Sequence, residues 1–260
     1  NVEYRGRLQP GRIFVADLEQ GRIISDEEVK DGIASAQPYE KWVEENLLSL
    51  KKLPDADNVH SQPSPERLLH RQQAFGVSSE EVNDIILTLA QTGYEPLGSM
   101  GADWPVAVLS HQSQHLSNYF KQLFAQVTNP PIDPLREKHV MSLATSIGQE
   151  MNVFCETDGH AHRVTFDSPI LLYSDMQQLL TLSDQHYRNT ILDINFDPQE
   201  KNLKQAVLDL CDKAEQVVRE GTVLVVLSDR ALTADRLPIP AAMAVGAVQA
   251  RLVEANLRCD

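Results

Sequence analysis

This 260-residue sequence has little of what would tie it to a membrane, a nucleic acid or an oxidising compartment. Cysteine is scarce: Cys155, Cys211 and Cys259 are far apart, odd in number and not at metal-ligand spacing. That excludes a disulfide framework and a zinc knuckle, and it suits reduced thiols in the cytoplasm. Basic residues are outnumbered, with 23 Lys and Arg against 37 Asp and Glu and a formal charge of −14. A surface of that sign repels nucleic acid and anionic lipid, so neither is expected as a partner. No apolar run approaches the roughly 18 residues of a membrane span. The opening NVEYRGRLQPGRIF has neither the apolar stretch nor the cleavage site of a secretory signal. An initiator Met is missing and the chain stops at NLRCD, so a longer parent polypeptide is expected. GxSxG, HExxH and the Walker loop are missing as well, and no nucleophile–base pair stands out.

What is present is a 42% hydrophobic chain, enough for a sizeable core, punctuated by clear turn and cap signals. GRIFVADLEQGRII reads as a hairpin: Ile13, Val15 and Leu18 flank an EQG turn, and Gly21 suits positive φ. Ser25 and Glu28 have capping-box spacing ahead of a helix. YEKWVEENLLSLKKL (39–53) reads as one amphipathic helix with Trp42, Val43, Leu47, Leu48 and Leu50 on its stripe. LPDADNVHSQPSPE is a proline-rich linker or mobile loop. A short helix follows at 66–75, then a helix opened by Ser78/Glu81 and stopped at Gly93. VAVLS (106–110) is strand-like, and HLSNYFKQLFAQV is helical until the prolines at 130, 131 and 134 break it. Asp133 and Pro134 then predict an N-cap and first turn for a helix over 133–148.

The second half has a different rhythm. HRVTFDS and PILLYS are short and strand-like, SDMQQLLTL is a capped short helix, and TILDINF has a buried-strand pattern. PQEKNLKQAVLDLCDKAEQVVREG is a long amphipathic helix ending at Gly221, with Cys211 as a small core residue. TVLVVLSD is continuously apolar, the pattern of a strand buried on both faces. PAAMAVGAVQARLVEAN is the next helix. This β-α-β-α order implies parallel strands joined by crossover helices. The expected fold is α/β: a Rossmann-like open, mainly parallel sheet of about four strands flanked by helices, preceded by a β-hairpin and helical segment. The expected divisions are 1–52, a linker or mobile loop at 53–66, and an α/β domain over 67–260.

Three stretches are candidates for chemistry. GSMGAD (98–103) has glycines that let backbone N–H groups converge on a phosphate, but no Gly-Lys-Ser/Thr follows, and a tight loop presenting Met100 to a partner is the plainer reading. HAH puts His160 and His162 on one side of an extended segment, a possible metal pair near Glu156 and Asp158; ordinary surface histidines are the plainer reading, and no metal is assigned. SDRALTADRLPIP (228–240) follows the C-terminal end of an apolar strand, where open α/β sheets bind ligands. There Asp229, Arg230, Asp235 and Arg236 would orient an anion or a metal, or form surface ion pairs of little energetic weight. A free-standing nucleotide- or metal-binding module built on 228–240 or on His160/His162 is therefore one functional reading.

GSMGADWPVAVLS and YFKQLFAQVTNPPIDPLREKHVMSL give another. These motifs resemble the central domain of the glutamate synthase large subunit, which carries a Gly-Ser-Met-Gly loop, a Tyr-Phe-Arg/Lys-Gln helix and Gln-Val-Thr-Asn-Pro-Pro-Ile-Asp-Pro in this order. The pattern departs at Ala102 and Trp104, where acidic and smaller residues are more usual. GRIFVADLEQGRIISDEEVK resembles the segment leaving that family's glutaminase domain, and LSDRALTADRLPIPAAMAVGAVQARL the stretch before its flavin-binding barrel. The resemblance spans nearly the whole chain. It makes 1–52 the end of the glutaminase hairpin with connecting helices, and 67–260 a central connector. It implies a parent enzyme that forms glutamate from glutamine and 2-oxoglutarate, using FMN and an Fe–S cluster held in another domain. This segment would have no catalytic residue, no metal and no cofactor of its own. Implied partners are the glutaminase and FMN-binding domains of the same chain and a small NADPH-oxidising subunit. By motif position, Met100, Thr128 and Asn129 would line an internal ammonia tunnel. Ser99, Asp103, Asp229 and Arg230 would face neighbouring domains.

Overall fold

A computed structural model describes residues 2, 5–55, 63–94, 96, 109–111, 116, 119 and 136–258. They fall into two compact units, one of residues 1–56 with 144–260 and one of 57–143. In chain order the elements are β1 (Val15–Asp17), β2 (Arg22–Ile24), α1 (Asp26–Ala34), α2 (Tyr39–Asn46) and β3 (Leu48–Ser49). Then come α3 (Pro65–Ala74), α4 (Leu87–Thr92), α5 (Glu137–Val140), β4 (Thr145–Gly148), β5 (Arg163–Phe166) and α6 (Tyr173–Leu180). The C-terminal part has β6 (Asn189–Asp193), β7 (Asn195–Phe196), α7 (Leu203–Arg219), β8 (Leu224–Ser228), β9 (Leu237–Pro238) and α8 (Ala241–Glu254). The class is mixed α/β with small sheets and no closed barrel among the described residues.

The expected hairpin is present. β1 and β2 pair antiparallel with Val15 opposite Ile24, and Gly21 takes φ +65° in the turn. Leu18 sits in that turn, 92% exposed, because Asp17 Oδ1 accepts from the Glu19 and Gln20 N–H groups and closes the bend there. Ser25 caps α1 by accepting from Glu28 N, but the Glu28 carboxylate binds Arg22 at 2.6 and 2.8 Å, so only half of a capping box forms.

In the unit of 57–143, Ser64 caps α3 by accepting from Arg67 N, with Pro65 at the first helical position. Ser78 and Glu81 form both halves of the predicted box, and Gly93 ends α4 at φ +69°. The turns over Glu81–Ile86 run in π form before α4.

The C-terminal parts of two predicted helices are strands instead. The helix expected over 39–53 stops at Asn46, whose Nδ2 donates to Trp42 O; Leu48–Ser49 then pairs parallel with β5. Leu48 O accepts from Thr165 Oγ1, and Leu50 enters the core. Of the helix expected over 133–148, the described residues form α5 (Glu137–Val140) and then leave it, and the β-branched Thr145 and Ile147 enter β4, antiparallel to β5. Gly148 lets the two strands close at φ +149°, where a Cβ would lie 2.5 Å from His162 O. The order β3-β5-β4 buries Val164 completely against Leu50, Leu179 and Tyr187. PILLYS is not a strand: Tyr173 begins α6, whose first turn is held by Asp175 Oδ2 accepting from Leu172 N.

The C-terminal layer follows the expected order. β6 and β8 pair parallel with α7 between them in sequence, and Asn202 caps α7 by accepting from Gln205 N. Ala206, Leu210 and Ala214 of α7 pack with Ala244, Val248 and Leu252 of α8 over Leu192 and Ile194. Cys211 lies in the same core, where burial pushes its thiol pKa up. The four-stranded parallel sheet is not formed by the described residues: β6–β8 has two strands, and β7–β9 is a separate antiparallel pair. Nor is β8 buried on both faces. All five of its residues are half-buried, because its edge away from β6, unpaired among the described residues, borders a groove of about 650 Å³ lined by Val223–Leu227, β4 and α8. Ala214 and Ala244 are fully buried, so Ala214→Leu should overpack this layer and cost roughly 1–3 kcal/mol in denaturant unfolding; an unchanged midpoint would contradict the packing.

Candidate functional site

The C-terminal ends of β6 and β8 carry a polar knot. β6 ends at Asp193, and Ile194 N donates to Ser228 O, which fixes the two strand ends together. The Asp193 carboxylate folds back as an Asx turn: Oδ1 accepts from Asn195 N at 2.9 Å and from Asn195 Nδ2 at 2.6 Å. Its other oxygen accepts from Arg236 Nη2 at 2.7 Å, and the same nitrogen donates to Asn195 O at 2.6 Å. One guanidinium thus ties the return of the 228–240 loop to the end of β6. The antiparallel β7–β9 pair, with Asn195 opposite Pro238, completes the closure.

Electrostatics follow from this geometry. Partial burial pushes the Asp193 carboxyl up, but donation from the Asn195 backbone and side chain and from Arg236 outweighs it, leaving the pKa below the ordinary carboxylate value. Asn195 is buried, and its Oδ1 has no donor among the described residues. Its amide nitrogen is committed to Asp193, so flipping the amide would not relieve this.

The sequence candidates separate into groups. Asp229 is half-buried, with its backbone carbonyl accepting from Leu232 N at 3.2 Å. Arg230 is exposed; its backbone N–H donates to Ser228 Oγ, and its guanidinium lies 4.4 Å from the centre of the Tyr173 ring. Arg236 belongs to the knot, while Asp235 is exposed on the loop. His160 and His162 do not converge: His160 Nε2 is 2.7 Å from Cys155 O, and His162 stacks on His186 with ring centroids 3.8 Å apart. No group of three or more potential metal ligands gathers among the described residues. Met100, Thr128, Asn129, Ser99 and Asp103 lie outside the described residues.

Asp193, Asn195 and Tyr173 were not among the sequence candidates. The signal for the first two was the Asp-x-Asn spacing directly after an apolar strand, an Asx-turn pattern. Tyr173 carried no local signal, since its partner lies 57 positions away in sequence (230 − 173). The knot reads as a structural clasp that shapes the 228–240 loop and leaves the Arg230 face outward.

The folded Asp193 pKa is lowered, so its stabilisation is present above the unfolded value, near 3.9, and is lost as pH falls through the folded value. Asp193→Asn should destabilise the protein at pH 7 by roughly 1 kcal/mol, the modest end because Asp193 and Arg236 are 39% and 35% exposed. The gap to the parent should close as pH is lowered through the Asp193 titration. Urea unfolding at neutral and acid pH checks this; a gap independent of pH would contradict it.

The glutamate synthase central-domain family matches residues 70–260, and the class-II glutamine amidotransferase family matches residues 1–42. The NADPH glutamate synthase large chain of Bacillus subtilis is 40% identical over 258 residues, covering 99% of this chain and 17% of that protein. The chloroplastic ferredoxin-dependent glutamate synthase of Oryza sativa is 42% identical over 262 residues, covering 99% and 16%. The NADH glutamate synthase of Schizosaccharomyces pombe is 36% identical over 269 residues, covering 99% and 13%. The chain therefore spans about one sixth or less of the length of these relatives. With a family match over most of its length and this identity from end to end, the chain belongs to the glutamate synthase family as its central domain, preceded by a segment that matches the class-II glutamine amidotransferases.

Proposed function

We propose that this chain is the connector of a glutamate synthase that forms glutamate from glutamine and 2-oxoglutarate. It joins the glutaminase domain to the FMN-binding synthase domain and walls part of the ammonia path between them. The observation that carries this reading is the adjacency of two family matches on one polypeptide, amidotransferase at 1–42 and central domain at 70–260. Ammonia must cross without being protonated in bulk water, which calls for a stiff, enclosed passage. Prolines 130, 131 and 134 donate no backbone hydrogen bond, and their fixed φ stiffens TNPPIDP. Thr128 and Asn129 are the proposed wall, and Met100, a soft and adaptable side chain, the proposed constriction. Ser99, Asp103, Asp229 and Arg230 are proposed to face the neighbouring domains.

The chain on its own is proposed to be inactive. An Fe–S cluster needs several convergent thiolates, whereas Cys211 is buried in α7 and Cys155 lies on an exposed loop. The described residues do not fit that group, and the cluster and FMN are assigned to the synthase domain. The names of the three relatives specify NADPH, ferredoxin and NADH, yet all are 36–42% identical to this chain. That supports placing the choice of electron donor outside this segment, with a small NADPH-oxidising subunit as partner in an NADPH-type enzyme. No helix among the described residues is long and apolar enough to cross a membrane. Unpaired Cys155 and Cys211 support assignment to the cytoplasm.

The division at 1–52, 53–66 and 67–260 stands as part of this proposal. So does a Rossmann-like open sheet of about four strands around β6 and β8. The apolar groove along the edge of β8 that no described strand pairs supports it, because such an edge invites a further strand.

Coupling is the test. In the full-length enzyme, Met100→Trp should let glutamine hydrolysis continue while free ammonia accumulates several-fold above the parent and consumption of the electron donor falls. Two glutamates per glutamine, as in the parent, would overturn the tunnel assignment.

A further inference from the structure

The amidotransferase-matched segment is folded but has no interior. None of the described residues between 5 and 46 is buried, and Phe14, Ile23, Ile33 and Val43 are all exposed. A piece of this length is too short to bury a core by itself. Its apolar side chains therefore need a cover, and one of them, Val43, lines a cleft.

Helix α2 and the loop 151–161 enclose an apolar cleft of about 390 Å³. One wall is Tyr39, Trp42 and Val43, the other Val153, Cys155 and Ala161. The cleft is prebuilt. Tyr39 and Trp42 meet edge to face at 5.5 Å, and Tyr39 Oη donates to Glu156 Oε2 at 2.7 Å across one rim. His160 Nε2 holds Cys155 O at 2.7 Å on the other side, and Gly159 seats against Met151, where a Cβ would be 3.1 Å from Met151 Cε. Beside the opening, Val153 and Phe154 stand 80% and 92% exposed. Aromatic and aliphatic side chains held open in this way are the surface of an interface.

We propose that this cleft is the socket in which the body of the amidotransferase domain, carried on the same polypeptide, docks through an apolar side chain. Continuity argues for that occupant. The amidotransferase match ends at residue 42, and Trp42 is a wall of the cleft, while the opposite wall belongs to the central-domain match. The seam between the two families is thus the cleft itself, and the Tyr39–Glu156 hydrogen bond crosses it. The inference rests on the connector reading, and it adds the surface through which the glutaminase domain is held.

Cys155 is a built-in reporter, exposed on the wall of the cleft. In the full-length enzyme, alkylation followed by peptide mass spectrometry should show Cys155 reacting at least tenfold more slowly in the native state than after urea unfolding. Val153→Asp, which puts a carboxylate in the socket, should restore that reactivity and lower the glutamine-dependent rate at least fivefold relative to the ammonia-dependent rate. Native alkylation of Cys155 at the unfolded rate, in an enzyme that forms glutamate from glutamine, would overturn the socket and leave the connector reading standing. An enzyme with no glutamate-forming activity would instead overturn the connector reading. Protection that disappears on dilution while glutamine-dependent activity persists would assign the cleft to a second copy of the chain and overturn the proposal.

Discussion

Close contact between α7 and α8 is the constraint on which the C-terminal half of the chain depends. Fully buried Ala214 and Ala244 let the two helices approach, so that Leu210, Val248 and Leu252 close over Leu192 and Ile194. Larger side chains at the two alanines would lift the helices off the strands. With that layer fixed, β6 and β8 stay in parallel register, their ends come level, and Asp193 and Ser228 are placed side by side. The Asp193–Asn195–Arg236 clasp is a consequence of that placement, and the course of the 228–240 loop follows from the clasp.

Most of this layer was legible in the sequence, because it is built from local contacts. The 3.6-residue period of α7, the stop at Gly221 and the apolar run of β8 are each complete within one element. The caps at Ser25 and Ser78 were legible for the same reason, whereas Ser64, which caps α3, lies in a stretch that reads as linker. What the sequence did not reveal is where a distant partner decides. Leu48 and Leu50 fit the stripe of a helix, yet they leave it because β5, more than a hundred residues away, offers Val164 and Thr165. The whole of β4 falls inside a stretch that reads as helix, for a similar reason: the demand of its β-branched residues is met only across the strand pair with β5. At the candidate site, Arg236 was visible as a charge after a strand, while its acceptors were hidden in what read simply as a buried strand, DINF.

A division of labour runs through the unit of residues 1–56 and 144–260. The α7–α8 layer and the β3-β5-β4 sheet have buried cores of their own, whereas the described residues up to Asn46, the rim at 151–157 and the edge of β8 keep apolar surface turned outward. Rigid interior with unsatisfied borders is the arrangement expected of a part that acts by holding other parts in place. The relatives, each about six or more times longer than this chain, have ample length to supply those parts.

The central proposal is that this domain works by connecting, with the ligand chemistry of the enzyme assigned to other domains. Calorimetric titration of the 260-residue chain with FMN, NADPH, ATP and Zn²⁺ tests it most directly. The account predicts no saturable heat with any of them. Stoichiometric binding with a Kd tighter than about 10 μM to any of them would contradict it.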